Sequence, residues 1–248
     1  MSDVLIGIAC EDGGHFSVVT TLVDGALIAA HDWLDGIIAN CRSWRGIRAT
    51  ELWYKYDPED GYDVRPITID GLVIKPQGHI GGEPLKAEAG MWRRILFLFH
   101  HSNPRPEIVI LVRDMDGYDG RRAGLVQVRD GLRWPFKIVL ATAQPEIEAW
   151  HVAGFVPGDG DELERLNELR KALSFDPVTA SHRLTSHPND ARTDAKRVLN
   201  HLCQKNHDRR EACLADRAIL CRRGEENGLT TFLDEVDQHI VPAFGGPP

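Results

Sequence analysis

The chain has 248 residues, 29 Lys and Arg against 37 Asp and Glu, a formal net charge of −8, and a composition of 42% hydrophobic and 27% charged residues. That balance excludes the disordered and fibrous classes, and its acidity argues against nucleic-acid binding through bulk positive charge. The cysteines Cys10, Cys41, Cys203, Cys213 and Cys221 are odd in number and widely scattered, which fits reduced thiols in a cytosol and not a disulfide framework.

The apolar run at Val4 to Ala9 carries no basic flank of a signal peptide and meets an acid at Glu11. The apolar stretch at 95–99 is far too short to span a bilayer, so a soluble, cytoplasmic protein with no membrane partner is expected. The first run reads as a buried strand closed by the turn Cys10-Glu11-Asp12-Gly13-Gly14. Apolar residues at helical spacing follow from His15 to Leu34, completing half of a βαβ unit. Glu51 to Tyr56 reads as a further strand, and the Pro and Gly residues around it mark a turn-rich insertion at about 43–82. Pro84 then opens a helix running over 85–101.

Glu107 to Val112 is an uninterrupted β-rich run, as in a central parallel strand covered on both faces, and it ends in Arg113-Asp114-Met115-Asp116-Gly117-Tyr118-Asp119-Gly120. A helix over 121–131, a strand over 136–141 and a helix after Pro145 follow. Helical patterns fill 159–173, 190–206 and 225–241, and the residues from Phe244 onward read as a frayed end. The expected fold is therefore α/β, a mainly parallel, Rossmann-like sheet flanked by helices at 1–155, with a helical C-terminal extension at 156–248.

In such a sheet ligands bind beyond the carboxyl ends of the strands. Glu11, the pair Asp114 and Asp116, and the pair Glu146 and Glu148 each follow a different strand and reach the same edge. An extended Asp-x-Asp segment turns both carboxylates to one side, and like charges gathered there call for a hard divalent cation. Glu146, in the first turn after Pro145, is taken as a helix-dipole partner. His15 lies within reach of a phosphate, although a lone histidine beside a loop reads first as a cap or surface residue. Cys203, His207, Cys213 and Cys221 lack the CxxC pair that would support a zinc site.

Two segments, Cys10-Glu11-Asp12-Gly13 after the first strand and Val112-Arg113-Asp114-Met115-Asp116-Gly117 after the central one, resemble the Toprim family. This is the metal-binding α/β module of topoisomerases, primases, certain ribonucleases and the nuclease domains of overcoming-lysogenization-defect proteins. Residues 143–150 resemble small stand-alone bacterial Toprim-like proteins, several of them associated with phage defence, and there Asp190, Asp194 and Lys196 fall in a similar helical region. The spacing from Glu11 to Asp114 exceeds that of a minimal Toprim core, and the extra Asp119 leaves the number of ions open.

The resemblance implies hydrolysis of a phosphodiester in DNA or RNA with Mg²⁺ or Mn²⁺ on Glu11, Asp114, Asp116 and Glu148. Lys196, Arg121 or Arg122 would neutralise developing charge. It also leaves open a non-catalytic sensor subunit acting with a separate ATPase or toxin partner, phosphoryl transfer on a small phosphoester, and a homodimer. The chain itself has no G-x-x-x-x-G-K-[ST] motif, so ATP dependence would come from the partner.

Overall fold

A computed structural model describes residues 4–48, 78–186 and 191–245. The three apolar runs become neighbouring parallel strands, β1 (Val4–Cys10), β5 (Ile108–Asp114) and β6 (Lys137–Ala143). A fourth strand, β2 (Arg42–Arg48), pairs with β1, giving the order β2-β1-β5-β6. The chain is thus α/β with a parallel sheet, as its alternation of strand and helix patterns predicts. β2 sits where the turn-rich insertion was expected to begin. Its arginines suggest a solvated segment, but an edge strand keeps one side open to water and tolerates such a pattern. The expected strand at Glu51–Tyr56 lies outside the described residues.

Residues 79–84 form a small hairpin, β3 (His79–Ile80) with β4 (Glu83–Pro84), whose two turn residues Gly81 and Gly82 have φ of 61° and 88°. Both angles lie in the left-handed region that such tight turns require. Pro84 therefore ends a strand, and α2 (Ala89–His101) starts only after Glu88.

Alternation along β5 divides the interior in two. Ile108, Ile110 and Val112 pack with Val19, Leu22, Val23 and Leu27 of α1 (Gly13–Ala30) and with Phe232, Leu233 and Val236 of α9 (Leu229–His239). Val109 and Leu111 pack on the other face with Trp92, Ile95 and Phe99 of α2 and with Leu125 and Val128 of α3 (Gly120–Asp130). α1 has the length and apolarity of a membrane span, but its apolar face is part of this core. Helices on opposite faces are what right-handed crossovers leading away from β1 and β5 in opposite directions demand. The crevice between the two strands is therefore the point where strand order reverses.

The C-terminal residues join the same structure. Glu235 of α9 accepts a hydrogen bond from the outward N–H of Leu140 on edge strand β6 at 2.8 Å and pairs with Arg129 at 2.8 Å. Phe244 is only 5% exposed and packs in the α1/α9 core, which corrects the expectation that it belongs to a frayed end. A third core joins α4 (Glu148–Gly154), α5 (Gly160–Leu173) and α6 (Ala195–Cys203) through Val152, Phe155, Leu166, Val198 and Leu202. Two short helices, α7 (His207–Ala212) and α8 (Arg217–Arg223), complete this part.

α5 and α7 are joined by an ion pair. Arg209 donates from Nε and Nη2 to the two carboxylate oxygens of Glu162 at 2.6 and 2.9 Å, and its guanidinium stacks 4.4 Å from the Phe155 ring. The Arg209 hydrogen bonds hold the Glu162 carboxyl below its ordinary 4.5. The resulting stabilisation is complete above that value and disappears as pH falls through the lower native one. Glu162→Gln should therefore cost about 2 kcal/mol at neutral pH, less than a fully buried pair because Arg209 keeps 21% of its side chain exposed. Urea unfolding of both proteins checks this, and the gap should narrow at about pH 3.

Candidate metal centre at the carboxyl edge of the sheet

Ile8 pairs with Ile110 and Ala9 with Leu111, so continuing the register two residues sets Glu11 beside Arg113 and one step from Asp114. Asp114 continues the Ile110 and Val112 series and faces α1, whose first turn carries His15. Ligand atoms of Glu11, His15 and Asp114 all lie within 4.8 Å of one another. Asp114 Oδ1 accepts the Ile147 N–H at 2.9 Å, and Oδ2 lies 3.0 Å from His15 Nε2. Asp12 caps α1 by accepting the His15 N–H at 3.1 Å, and the same oxygen sits 2.9 Å from His15 Nδ1. Burial alone would favour neutral imidazole, but the carboxylates of Asp114 and Asp12 outweigh it and raise His15 to about 10. His15 and, on the Glu11 side, Arg113 are the basic groups set among these carboxylates.

Asp116 is placed differently from the expectation. The strand ends at Asp114, and Met115 and Asp116 donate their N–H groups to Ala143 and Pro145 carbonyls, both at 2.8 Å. Asp116 then takes φ of +49° and Gly117 of +70°, so the segment is a turn and the two carboxylates no longer share a side. Asp116 pairs with Arg121, and although burial opposes it, the hydrogen bonds from Arg121 and Ser186 lower its pKa. It is not a member of the Glu11, His15 and Asp114 group. Arg121 is occupied likewise, with Nη1 donating to the Asp114 carbonyl at 2.8 Å and Nε 3.2 Å from Glu88. Arg113 pairs with Glu11 and bridges to Glu88 at 2.8 and 2.5 Å.

The second acidic group comes from the loop after β6. Glu146 lies before α4, not within its first turn, and is 3% exposed. Lys196 of α6 reaches Glu146 at 3.4 Å and Glu148 at 3.9 Å. Glu146 Oε1 and Glu148 Oε2 are buried without hydrogen-bond partners. Burial, reinforced by the Glu148 charge, raises Glu146 to about 7 against the opposing pull of Lys196. Glu148 is also raised, again chiefly by burial. Asp194 caps α6 by accepting the Arg197 N–H at 2.7 Å, and Asp190 lies outside the described residues. Arg122 lines a cleft of about 640 Å³ with Lys86, Met115, Asp119 and Gln144, and the carboxylate cluster lies outside it.

Asn227, 1% exposed, holds the loop that carries Glu146. Its carbonyl accepts the Gln144 N–H at 3.0 Å and the Trp150 indole N–H at 2.9 Å, while its side-chain amide donates to Ser181 Oγ at 2.8 Å. Beside it, Gly228 has φ of +85° and packs so close that a Cβ would lie 2.1 Å from the Thr142 carbonyl oxygen. Position along the chain points to Glu11, Asp114 and Glu148 and the family resemblance to Lys196, whereas His15 reads only as a cap or surface residue within reach of a phosphate, and Asp12, Arg113 and Asn227 carry no sign of a role. The one available signal for His15 was its place three residues after an N-cap aspartate.

Comparison of the chain with protein-family models, with curated proteins and with solved structures finds no match.

A carboxyl whose folded-state pKa is raised costs stability as pH climbs from its ordinary value through the raised one. With metals chelated, Glu146→Gln should therefore raise the melting temperature at pH 8 and leave it nearly unchanged at pH 4.5. The gain should be up to about 3 kcal/mol, read by thermal scans across pH. Asn227→Ala should cost about 2–4 kcal/mol through several lost buried hydrogen bonds, read by denaturant unfolding.

Proposed function

We propose that this chain is a metal-dependent phosphodiesterase acting on nucleic acid, with Mg²⁺ or Mn²⁺ as its ion. The observation that carries the reading is the meeting of Glu11, His15 and Asp114, from the two strands and first helix that frame the crevice, within 4.8 Å. Donors of this kind, buried at His15 and Asp114 and half-buried at Glu11, fit a divalent ion, since Glu11 and Asp114 are forced together and only positive charge offsets their repulsion. Glu11 and Asp114 would hold it. When bound, such an ion polarises a phosphodiester and activates water.

The remaining chemistry belongs to side chains. Asp114 is oriented by the Ile147 N–H and by His15, so its geometry does not depend on substrate. Glu146, held near 7, is matched to proton exchange at neutral pH. Glu148 stands beside it as an additional acidic ligand, and Lys196, with 60% of its side chain exposed, can meet a phosphate from the solvent side. Asp116 supports this site through Arg121, which also grips the Asp114 carbonyl. A role in phage defence rests on the Toprim resemblance alone.

The second reading is a non-catalytic subunit that works through an ATPase or toxin partner. It is favoured by the ion pairs that already engage Glu11 with Arg113 and Glu148 with Lys196. Incubating the protein with plasmid, single-stranded DNA and tRNA in Mg²⁺ or Mn²⁺ separates the two. Cleavage by the parent protein, reduced at least about a hundredfold in a folded Asp114→Asn variant, is the expected result. Equal cleavage by both proteins, or none by either, rejects the phosphodiesterase reading.

A further inference from the structure

We infer that the resident ion is a first-row transition ion, bound by Nε2 of His15 together with the carboxylates of Glu11 and Asp114, and that Asp12 orients the imidazole for it. The inference rests on the metal centre proposed above and specifies which class of ion that centre takes. The imidazole side chain is 6% exposed, fixed in the first turn of α1, and faced by carboxylates from the turn after β1 and from the end of β5. Its Nε2 is buried and lies 3.0 Å from Asp114 Oδ2 without the alignment of a hydrogen bond.

The partner on the other nitrogen carries the argument further. Asp12 Oδ1 sits 2.9 Å from Nδ1, and its side chain is 65% exposed, on the solvent side of the ring. A histidine that ligates a metal through one nitrogen characteristically donates the other N–H to a carboxylate, which fixes both tautomer and ring direction. With Nδ1–H given to Asp12, the Nε2 lone pair faces Asp114 and Glu11. Because Asp12 also accepts the His15 backbone N–H at 3.1 Å, the helix cap and the ring orientation depend on one carboxylate. Ligation through Nε2 needs the neutral imidazole, so any proton held on that nitrogen leaves to solvent as the ion enters.

Donor chemistry then selects the ion. Mg²⁺ prefers oxygen ligands and retains its waters, whereas an imidazole nitrogen favours the first-row transition series. Mn²⁺, which accepts both nitrogen and carboxylate donors, is the suitable probe.

The experiment uses the full chain stripped of metal and titrated with Mn²⁺ or with Mg²⁺ by calorimetry, with pulsed electron paramagnetic resonance of the bound Mn²⁺. The expected spectrum shows coupling to a single imidazole nitrogen, and Mn²⁺ should bind at least about tenfold tighter than Mg²⁺. His15→Gln should remove the coupling. Asp12→Asn, a change at an exposed side chain, should keep the coupling while weakening Mn²⁺ about tenfold. Bound Mn²⁺ lacking nitrogen coupling overturns the inference and leaves an oxygen-only centre intact, and coupling that survives in His15→Gln overturns it by assigning the nitrogen ligand to another residue. Failure of both ions to bind at about millimolar concentration rejects the centre itself. Because none of these readouts is catalytic, absence of cleavage alone would reject only the phosphodiesterase reading.

Discussion

Two parallel strands that lie side by side bring the residues at their carboxyl ends together whatever the charge. β1 and β5 do this at the reversal of strand order, and Glu11 and Asp114 are the residues so delivered. Their repulsion is offset by His15 on one side and Arg113 on the other. The rest of the site follows from that constraint. Arg113 in turn engages Glu88, Arg121 engages Glu88 and Asp116, and the charge of two catalytic candidates is spread over a chain of pairs around the crevice.

The C-terminal third is part of this centre. Lys196 arrives from α6 between Glu146 and Glu148, and Asn227, just before α9, ties down the loop that carries Glu146 and leads into α4, whose first residue is Glu148. α9 then fills the core beside α1 and covers the open edge of β6. The site accordingly draws on residues from Glu11 to Asn227, and the conformation of its acidic loop depends on packing far along the chain. Carboxyl groups raised by burial at this loop mark a place where folding stability is given up to keep acids out of water.

Ile108 to Val112 reads as a core strand because an unbroken apolar run, β-branched at all but Leu111, fits a surface covered on both faces, and that reading needs no tertiary information. The same holds for Val4 to Cys10, for the helical spacing after His15, and for the parallel α/β class. β2 was less legible, since an edge strand has a polar side and its alternation of arginine with small or aromatic residues resembles a loop. Helix starts also escaped: Pro84 and Pro145 suit a first turn, yet each lies ahead of its helix, in a hairpin strand and in a loop.

For the site, strand-end position marks Glu11, Asp114, Asp116, Glu146 and Glu148 alike, because a parallel sheet sends every strand's carboxyl end to one edge. Which of the acids meet is a tertiary matter. Asp116 follows Asp114 by two residues and would share its side in an extended chain, but the turn at Asp116 and Gly117 sends it to Arg121 instead. His15 carries no distinctive spacing to Asp114, nearly a hundred positions away, and becomes its neighbour only when α1 packs across the end of β5. Sequence periodicity reports which face of an element is apolar. The direction in which a polar side chain leaves the end of that element depends on local turn geometry and on the neighbour that supplies its hydrogen bond, and both exist only in the folded chain.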